Sequence, residues 1–345
     1  MPESSNTRAS QHALTVPARA PVRQGVLGIA RLPLHHGGAL ERAVVAWRLV
    51  GAPDAPVVAA LGGISADRAV CDPEAPGRGW WRELAGPGRP LDTDRYAVLG
   101  IDYLGCGASS APMPGQTDFP RVDSRDQAAA LLAVCDELGI ARLHAVAGAS
   151  YGGMVGLALA ECAPLRVRRV LAISAAHRSH ALATGWRSTQ RAIVRHCLAL
   201  GDRSGGLALA RALAMTTYRT RAGFECRFPA PAGGGGIRGD FEVEQYLGAR
   251  GADYARRTRP ESFLSLSESI DRHRVDPARI RVAVDLVAIA EDQLVTLAEM
   301  RELASSLAGP AVLHELHSDF GHDAFLKETD LLAPAFRAAL EGEAS

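Results

Sequence analysis

Gly148-Ala149-Ser150-Tyr151-Gly152 fits the pattern G-x-S-x-G, and a further glycine follows at 153. A serine so placed is a candidate nucleophile, because small neighbours permit the strained strand-to-helix turn that presents its hydroxyl. The pattern alone is weak: a chain with 35 glycines will match it by chance. What strengthens it is company. A hydroxyl attacks a carbonyl only when a histidine takes its proton and a carboxylate fixes that histidine's tautomer, so an acid and a histidine should follow downstream. Ala290-Glu291-Asp292-Gln293 and Phe320-Gly321-His322-Asp323 supply them. Asp292 is the acid on this reading, with Glu291 one residue away as the rival, and His322 is the base. The tetrahedral oxyanion needs two backbone N–H groups. Tyr151, directly after the serine, offers one, and Gly63 in Gly62-Gly63-Ile64 offers the other.

These residues need a scaffold that brings distant segments to one edge. Short apolar runs at Pro56–Leu61 and Tyr96–Ile101 read as buried parallel strands, and further strands are expected at Leu143–Ala147, Arg169–Ser174, Val282–Ile289 and Ala311–Leu316. Helical spacing after Asp123-Ser124, with Ala128, Leu131, Leu132, Cys135 and Leu138, alternates with them, and a terminal helix starts near Asp330. Ser150, Glu291-Asp292 and His322 all fall just past strand ends, where sheets of this kind place their sites. Upstream, GVLGIARLPL and ALERAVVAWRLVG flank His35-His36-Gly37-Gly38 as an antiparallel hairpin. Adjacent strand residues point to opposite faces, so the two histidines read as an exposed turn and not as metal ligands. The expected fold is α/β: a mostly parallel, doubly wound sheet with an inserted helical cap. Residues 1–22 are expected as a flexible tail, 23–176 and 276–345 as the core, and the Arg-rich segment 177–275 as the cap, with the Gly233–Gly236 run a flexible connection.

Composition excludes several other roles. Lys+Arg and Asp+Glu both total 38 in 345 residues, and a single lysine, Lys327, leaves arginine as nearly all the positive charge. A chain of zero formal net charge has no global field to draw it to nucleic acid or an acidic membrane, and no apolar run is long enough to span one. A cytoplasmic location is expected. The six cysteines are scattered without CxxC pairs, which suits reduced thiols and no metal site.

Beyond the shared serine motif, more specific segments stand out: Gly206-Leu-Ala-Leu-Ala-Arg211, Thr217-Tyr-Arg-Thr220, Arg227-Phe228, Phe241–Leu247, Ser262–Asp271 and Gly321-His-Asp-Ala-Phe-Leu326. With these the chain resembles the homoserine O-acyltransferases of the α/β-hydrolase superfamily, from about Gly25 to the terminal helix. The resemblance implies Ser150, Asp292 and His322 as triad, and adds Arg211 and Asp323 as substrate-binding residues. A guanidinium for the carboxylate and a carboxylate for the ammonium would suit zwitterionic homoserine. It further implies acyl-CoA and L-homoserine as partners, no cofactor beyond acyl-CoA as co-substrate, methionine biosynthesis as the setting, and is compatible with a homodimer. Serine as acceptor, or a plain esterase, are the alternatives. The chain departs from the family in having Tyr151 where methionine is usual, a cap shorter by roughly ten residues between Arg191 and Gly206, and LGGIS after the first core strand. A succinyl donor, slightly favoured over acetyl, would want a cation for its distal carboxylate, and Arg187, Arg191 and Arg219 are the candidates.

Overall fold

A computed structural model of the protein describes residues 20–75, 77–229 and 241–342. The expected tail lies almost wholly outside them, as does the Gly233–Gly236 run.

Ten strands are present among these residues: β1 (Val22–Pro33), β2 (Ala39–Val50), β3 (Val57–Leu61), β4 (Ala85–Gly86), β5 (Leu91–Asp92), β6 (Ala97–Ile101), β7 (Ala145–Ala149), β8 (Arg169–Ile173), β9 (Ala283–Ile289) and β10 (Ala311–Leu316). Eight of them make one sheet in the order β1-β2-β6-β3-β7-β8-β9-β10, while β4 and β5 pair separately. The hairpin β1–β2 is antiparallel, β2 joins β6 antiparallel, and every later pairing is parallel. The chain order turns at β3, which lies between β6 and β7, so the loops after β3 and β7 meet at the crevice where such sheets bind ligands. Strands β6 and β7 are buried at every position, as continuous apolar runs covered on both faces require.

Helices α1 (Ser124–Glu137), α2 (Tyr151–Cys162) and α8 (Leu297–Ser306) supply Leu131, Val155 and Met300 to one face of the sheet. The other face packs on α10 (Thr329–Glu341) through Phe336 and Leu340, and on Trp81. A short helix, α9 (Ala324–Lys327), precedes α10. Between β8 and β9 the chain forms α3 (Ala181–Ala199), α4 (Arg203–Tyr218), α5 (Arg221–Arg227), α6 (Glu242–Arg257) and α7 (Pro260–Arg272), which arch over the strand ends. This layer has its own small core of Val194, Leu207, Ala210, Tyr254 and Phe263. A three-residue turn joins α3 to α4: Gly201 takes φ +83°, and the Asp202 carboxylate accepts the Gly205 N–H at 2.7 Å to start α4.

The hairpin turn is exposed, as expected, but its two histidines have a buried partner. Strand β1 ends at Pro33, so His35 and His36 lie in the turn, outside the alternation of a strand. Both rings converge on buried Asp123, the N-cap of α1: His35 Nδ1 lies 2.6 Å and His36 Nε2 3.1 Å from Asp123 Oδ2. The three side chains offer ligand atoms within 4.8 Å of one another.

Candidate active site

Strand β7 runs two residues further than its apolar pattern predicts, to Ala149, and α2 begins at Tyr151. Ser150 alone makes the turn between them, at φ 53° and ψ −120°, a conformation L-residues avoid. Its glycine neighbours are there for close approach. A Cβ on Gly148 would lie 2.3 Å from the Gly152 carbonyl oxygen, and one on Gly152 would lie 2.1 Å from that of Leu61.

The structure brings the three expected residues together. Ser150 Oγ lies 2.8 Å from His322 Nε2, and His322 Nδ1 lies 2.7 Å from Asp292 Oδ2. The other Asp292 oxygen accepts the N–H groups of Leu294 and Val295 at 2.8 and 3.1 Å, which fixes the carboxylate. Glu291 faces the other way, accepting from His317 Nδ1 at 2.7 Å and from the Ser318 N–H at 2.9 Å. Geometry thus separates the two acids: Asp292 orients the histidine, and Glu291 ties the two loops behind it. Burial pushes the His322 pKa down. Attraction to Asp292, the hydrogen bond between them and the charge of Asp323 outweigh that effect, so the imidazole sits above its ordinary value.

Gly321 lets the base loop pass under the cap: at φ 52°, a Cβ there would lie 2.8 Å from the Tyr218 carbonyl oxygen at the end of α4. Thr220 Oγ1 donates to the Asp319 carbonyl at 2.9 Å, and Trp81 Nε1 donates to that of Phe325 at 2.8 Å. The loop carrying His322 is therefore held from the cap above and from the sheet side below.

Gly63 faces the nucleophile, with Ser150 Cβ 3.9 Å from where its own Cβ would stand. Tyr151 N–H, in the first turn of α2, has no carbonyl one turn back to bond and is available to an oxyanion. The glycine forced by packing in this loop is Gly62, where a Cβ would meet Ala66 Cβ at 2.5 Å. Tyr151 points away from the cavity. Its hydroxyl bonds Ser269 of α7, and its ring packs edge-on against Tyr103, whose own hydroxyl donates to the Gly62 carbonyl at 2.6 Å. No spacing in the sequence announces this chain of contacts from the oxyanion loop to the cap, because its members come from four separate segments.

A cavity of about 240 Å³ opens onto Ser150 and His322. Arg211 and Asp323 both line it. Among the described residues no carboxylate pairs with Arg211; its guanidinium lies between the rings of Tyr218 and Tyr254, 5.1 and 5.0 Å from their centroids. Asp323 differs from expectation in having a partner, Arg219, whose Nε donates to Oδ2 at 3.0 Å. Arg219 is thereby engaged, and Arg191 is buried against Ser267 and Asp271 outside the cavity wall. Of the three arginines considered for a distal carboxylate, Arg187 lines the cavity, anchored to Asp271 at 2.7 Å. Arg178, which the sequence did not single out, lines it too.

Comparison with known proteins shows the family. A family model for the alpha/beta hydrolase fold matches residues 73–203. A homoserine O-succinyltransferase of Xanthomonas campestris pv. campestris is 43% identical over 317 residues, covering 90% of this chain and 82% of that protein. The chain belongs to the homoserine O-acyltransferase family of α/β-hydrolases. Among solved structures, a homoserine O-acetyltransferase from Bacillus anthracis superposes with a TM-score of 0.83 at 18% identity, over 94% of this chain and 99% of that one. The L374D mutant of esterase E22 also reaches 0.83, at 20% identity, over 93% and 100%. At such identities the likeness shows the fold alone, and that fold serves transferases and esterases alike.

Proposed function

We propose that the protein is a homoserine O-acyltransferase that moves an acyl group from acyl-CoA to the hydroxyl of L-homoserine through an acyl-serine intermediate, in methionine biosynthesis. His322 Nε2 takes the Ser150 proton as Oγ attacks the thioester carbonyl. The oxyanion forms against the N–H groups of Tyr151 and Gly63. The C–S bond breaks, and the CoA sulfur leaves with the proton from His322. Homoserine then gives its hydroxyl proton to the same Nε2 and attacks the acyl-serine; the ester C–O bond breaks and Ser150 recovers its proton. Acyl-CoA is the co-substrate, and no step calls for a metal or redox cofactor. The cap over the strand ends keeps water from the acyl-enzyme.

The observation that carries this reading is Arg211. A guanidinium without a carboxylate partner among the described residues, in the same cavity as Ser150 and His322, suits an amino-acid carboxylate and serves no purpose for a simple ester. Asp323 keeps one oxygen free of Arg219 for the ammonium. A succinyl donor is favoured over acetyl, because Arg187 and Arg178 line the cavity and the Xanthomonas relative bears that name. We place the enzyme in the cytoplasm, where acyl-CoA is found; among the described residues no helix is long and apolar enough to cross a membrane.

The test is incubation with succinyl-CoA or acetyl-CoA and L-homoserine or L-serine, following thiol release and identifying the ester by mass spectrometry. Succinyl-CoA with homoserine should react fastest. Brisk hydrolysis of simple esters with no dependence on either amino acid would make the protein an esterase.

A further inference from the structure

The turn between β1 and β2 carries a cluster that acyl transfer does not use. His35 Nδ1 and His36 Nε2 both reach Asp123 Oδ2, at 2.6 and 3.1 Å. The ligand atoms of the three side chains lie within 4.8 Å of one another, the one such grouping of histidine, cysteine and carboxylate side chains among the described residues. None of the three lines the cavity that holds Ser150 and His322.

The buried half of the cluster is fixed, and the exposed half is free to adjust. Asp123 is 1% exposed, and its Oδ1 accepts the Arg125 and Asp126 N–H groups at 2.8 and 3.3 Å as the N-cap of α1, which leaves Oδ2 for the rings. Asp126 Oδ1 accepts the His35 N–H at 2.7 Å and so holds the turn against the helix start. The His35 and His36 side chains are 40% and 36% exposed, on the wall of a groove of about 740 Å³ that has room for water.

Two imidazole nitrogens and one carboxylate oxygen form a donor set that suits zinc-class ions and is too rich in nitrogen for magnesium or calcium. Ligand atoms around a tetrahedral zinc ion stand about 3.4 Å apart, so the rings need withdraw from Oδ2 by less than about 1 Å. Each neutral ring would carry its proton on the far nitrogen, His35 Nε2 and His36 Nδ1, and give the lone pair of the near one to the ion. Arg125 opposes this. Its Nη1 lies 3.3 Å from His35 Nε2 and must release that nitrogen, while its Nε keeps Glu161 at 3.2 Å. Asp126 and Glu161 bring two further carboxylates to the same place, against the cations Arg125 and Arg279.

We propose that His35, His36 and Asp123 bind one zinc-class divalent ion, with water from the groove completing a four-coordinate site that clamps the β1–β2 turn to the start of α1. The site is independent of the acyl-transfer reading. An ion held only by the folded chain stabilises it by mass action, so the effect falls on stability and not on turnover.

The experiment uses the full chain after treatment with a chelator. Cobalt(II) should bind at one equivalent and give visible ligand-field bands, which zinc should abolish by displacement. Zinc should also raise the thermal midpoint, and magnesium should not. In a His35→Gln/His36→Gln variant the bands and the zinc-induced shift should both vanish, while turnover stays within about two-fold of wild type. His36→Gln alone, the milder change, should weaken cobalt binding at least about ten-fold. The chain also has six cysteines, whose thiolates would announce themselves by charge-transfer absorption. No cobalt bands with the ion in excess, wild-type affinity in either variant, or thiolate charge-transfer absorption in place of the expected bands would each overturn the assignment.

Discussion

Glu291 and Asp292 are consecutive in the chain and direct their carboxylates to different histidines. Asp292 lies 2.7 Å from the Nδ1 of His322, and Glu291 lies 2.7 Å from the Nδ1 of His317. Following the last buried residue of β9, the backbone turns through Asp292 N–H to the Ile289 carbonyl, at 3.0 Å, and this turn sends the second carboxylate inward and the first to the surface. The catalytic assignment rests on that one-residue difference.

Asp292→Asn should lower the rate by about 10³- to 10⁴-fold, because the amide cannot hold His322 in the required tautomer or stabilise its imidazolium. Glu291→Gln should keep turnover within about two-fold of wild type while lowering the thermal midpoint, since it weakens the tie to His317 and Ser318. Steady-state kinetics and a melting curve on the two variants check this, and the reverse ranking would exchange their roles.

Arg211→Leu and Asp323→Asn should still acylate Ser150 and release CoA in a burst, then stall. In the proposed mechanism both residues face the attacking amino acid and neither is needed for the first half-reaction. Loss of a charge-assisted contact, about 1.5–3 kcal/mol, corresponds to roughly ten- to a hundred-fold in apparent use of homoserine. Rapid-quench measurement of the burst, set beside the homoserine dependence, separates the half-reactions. Unchanged homoserine dependence in both variants would sink the acceptor site.

The pH profile follows from His322. Its pKa is raised, so the protonated form is favoured in the folded enzyme, yet the reaction needs the neutral base. Activity should therefore rise with pH through a midpoint above the ordinary imidazole value of about 6.5. Replacing Asp292 by Asn removes the main attraction that raises it, and the residual activity should titrate lower. A wild-type acid limb centred below 6.5 would contradict this.

Gly152→Ala and Gly63→Ala should diverge. A methyl at 152 would stand 2.1 Å from a backbone oxygen of β3 and should abolish soluble, folded protein or strip it of activity. At 63 the nearest atom is 3.9 Å away and φ is ordinary, so the variant should fold and keep working through its N–H. Expression yield, circular dichroism and turnover distinguish them. Loss of fold at 63 would mean that its glycine is structural.

His273 predicts acid sensitivity. Its buried ring sits between Ser124 Oγ at 2.6 Å and the Ala176 carbonyl at 3.1 Å, and burial drives its pKa down from 6.5 to about 3. The fold holds it neutral, so its contribution to stability is complete above about 6.5 and is lost as pH falls toward 3. His273→Gln should flatten the fall in denaturation midpoint between pH 6 and 4, measured in guanidinium titrations. An equally steep fall would place the acid sensitivity elsewhere.

Much of this protein is decided locally, and that much is legible in its sequence. Buried strands need apolar runs, the elbow needs glycines at 148 and 152, and the helix start at Asp123-Ser124 needs a capping side chain; each requirement acts within a few residues. The order Ser150, Asp292, His322 is legible for the same reason, since each follows the end of a strand. Direction across space is another matter. Whether Glu291 or Asp292 turns inward, that Arg219 reaches Asp323, that two turn histidines gather on Asp123, and that Tyr151 points to Ser269 and not into the cavity all depend on contacts between segments up to 118 residues apart. Such contacts leave no period or spacing in the chain, because a side chain's partner is chosen by the packing of whole elements. Only the tertiary structure settles them.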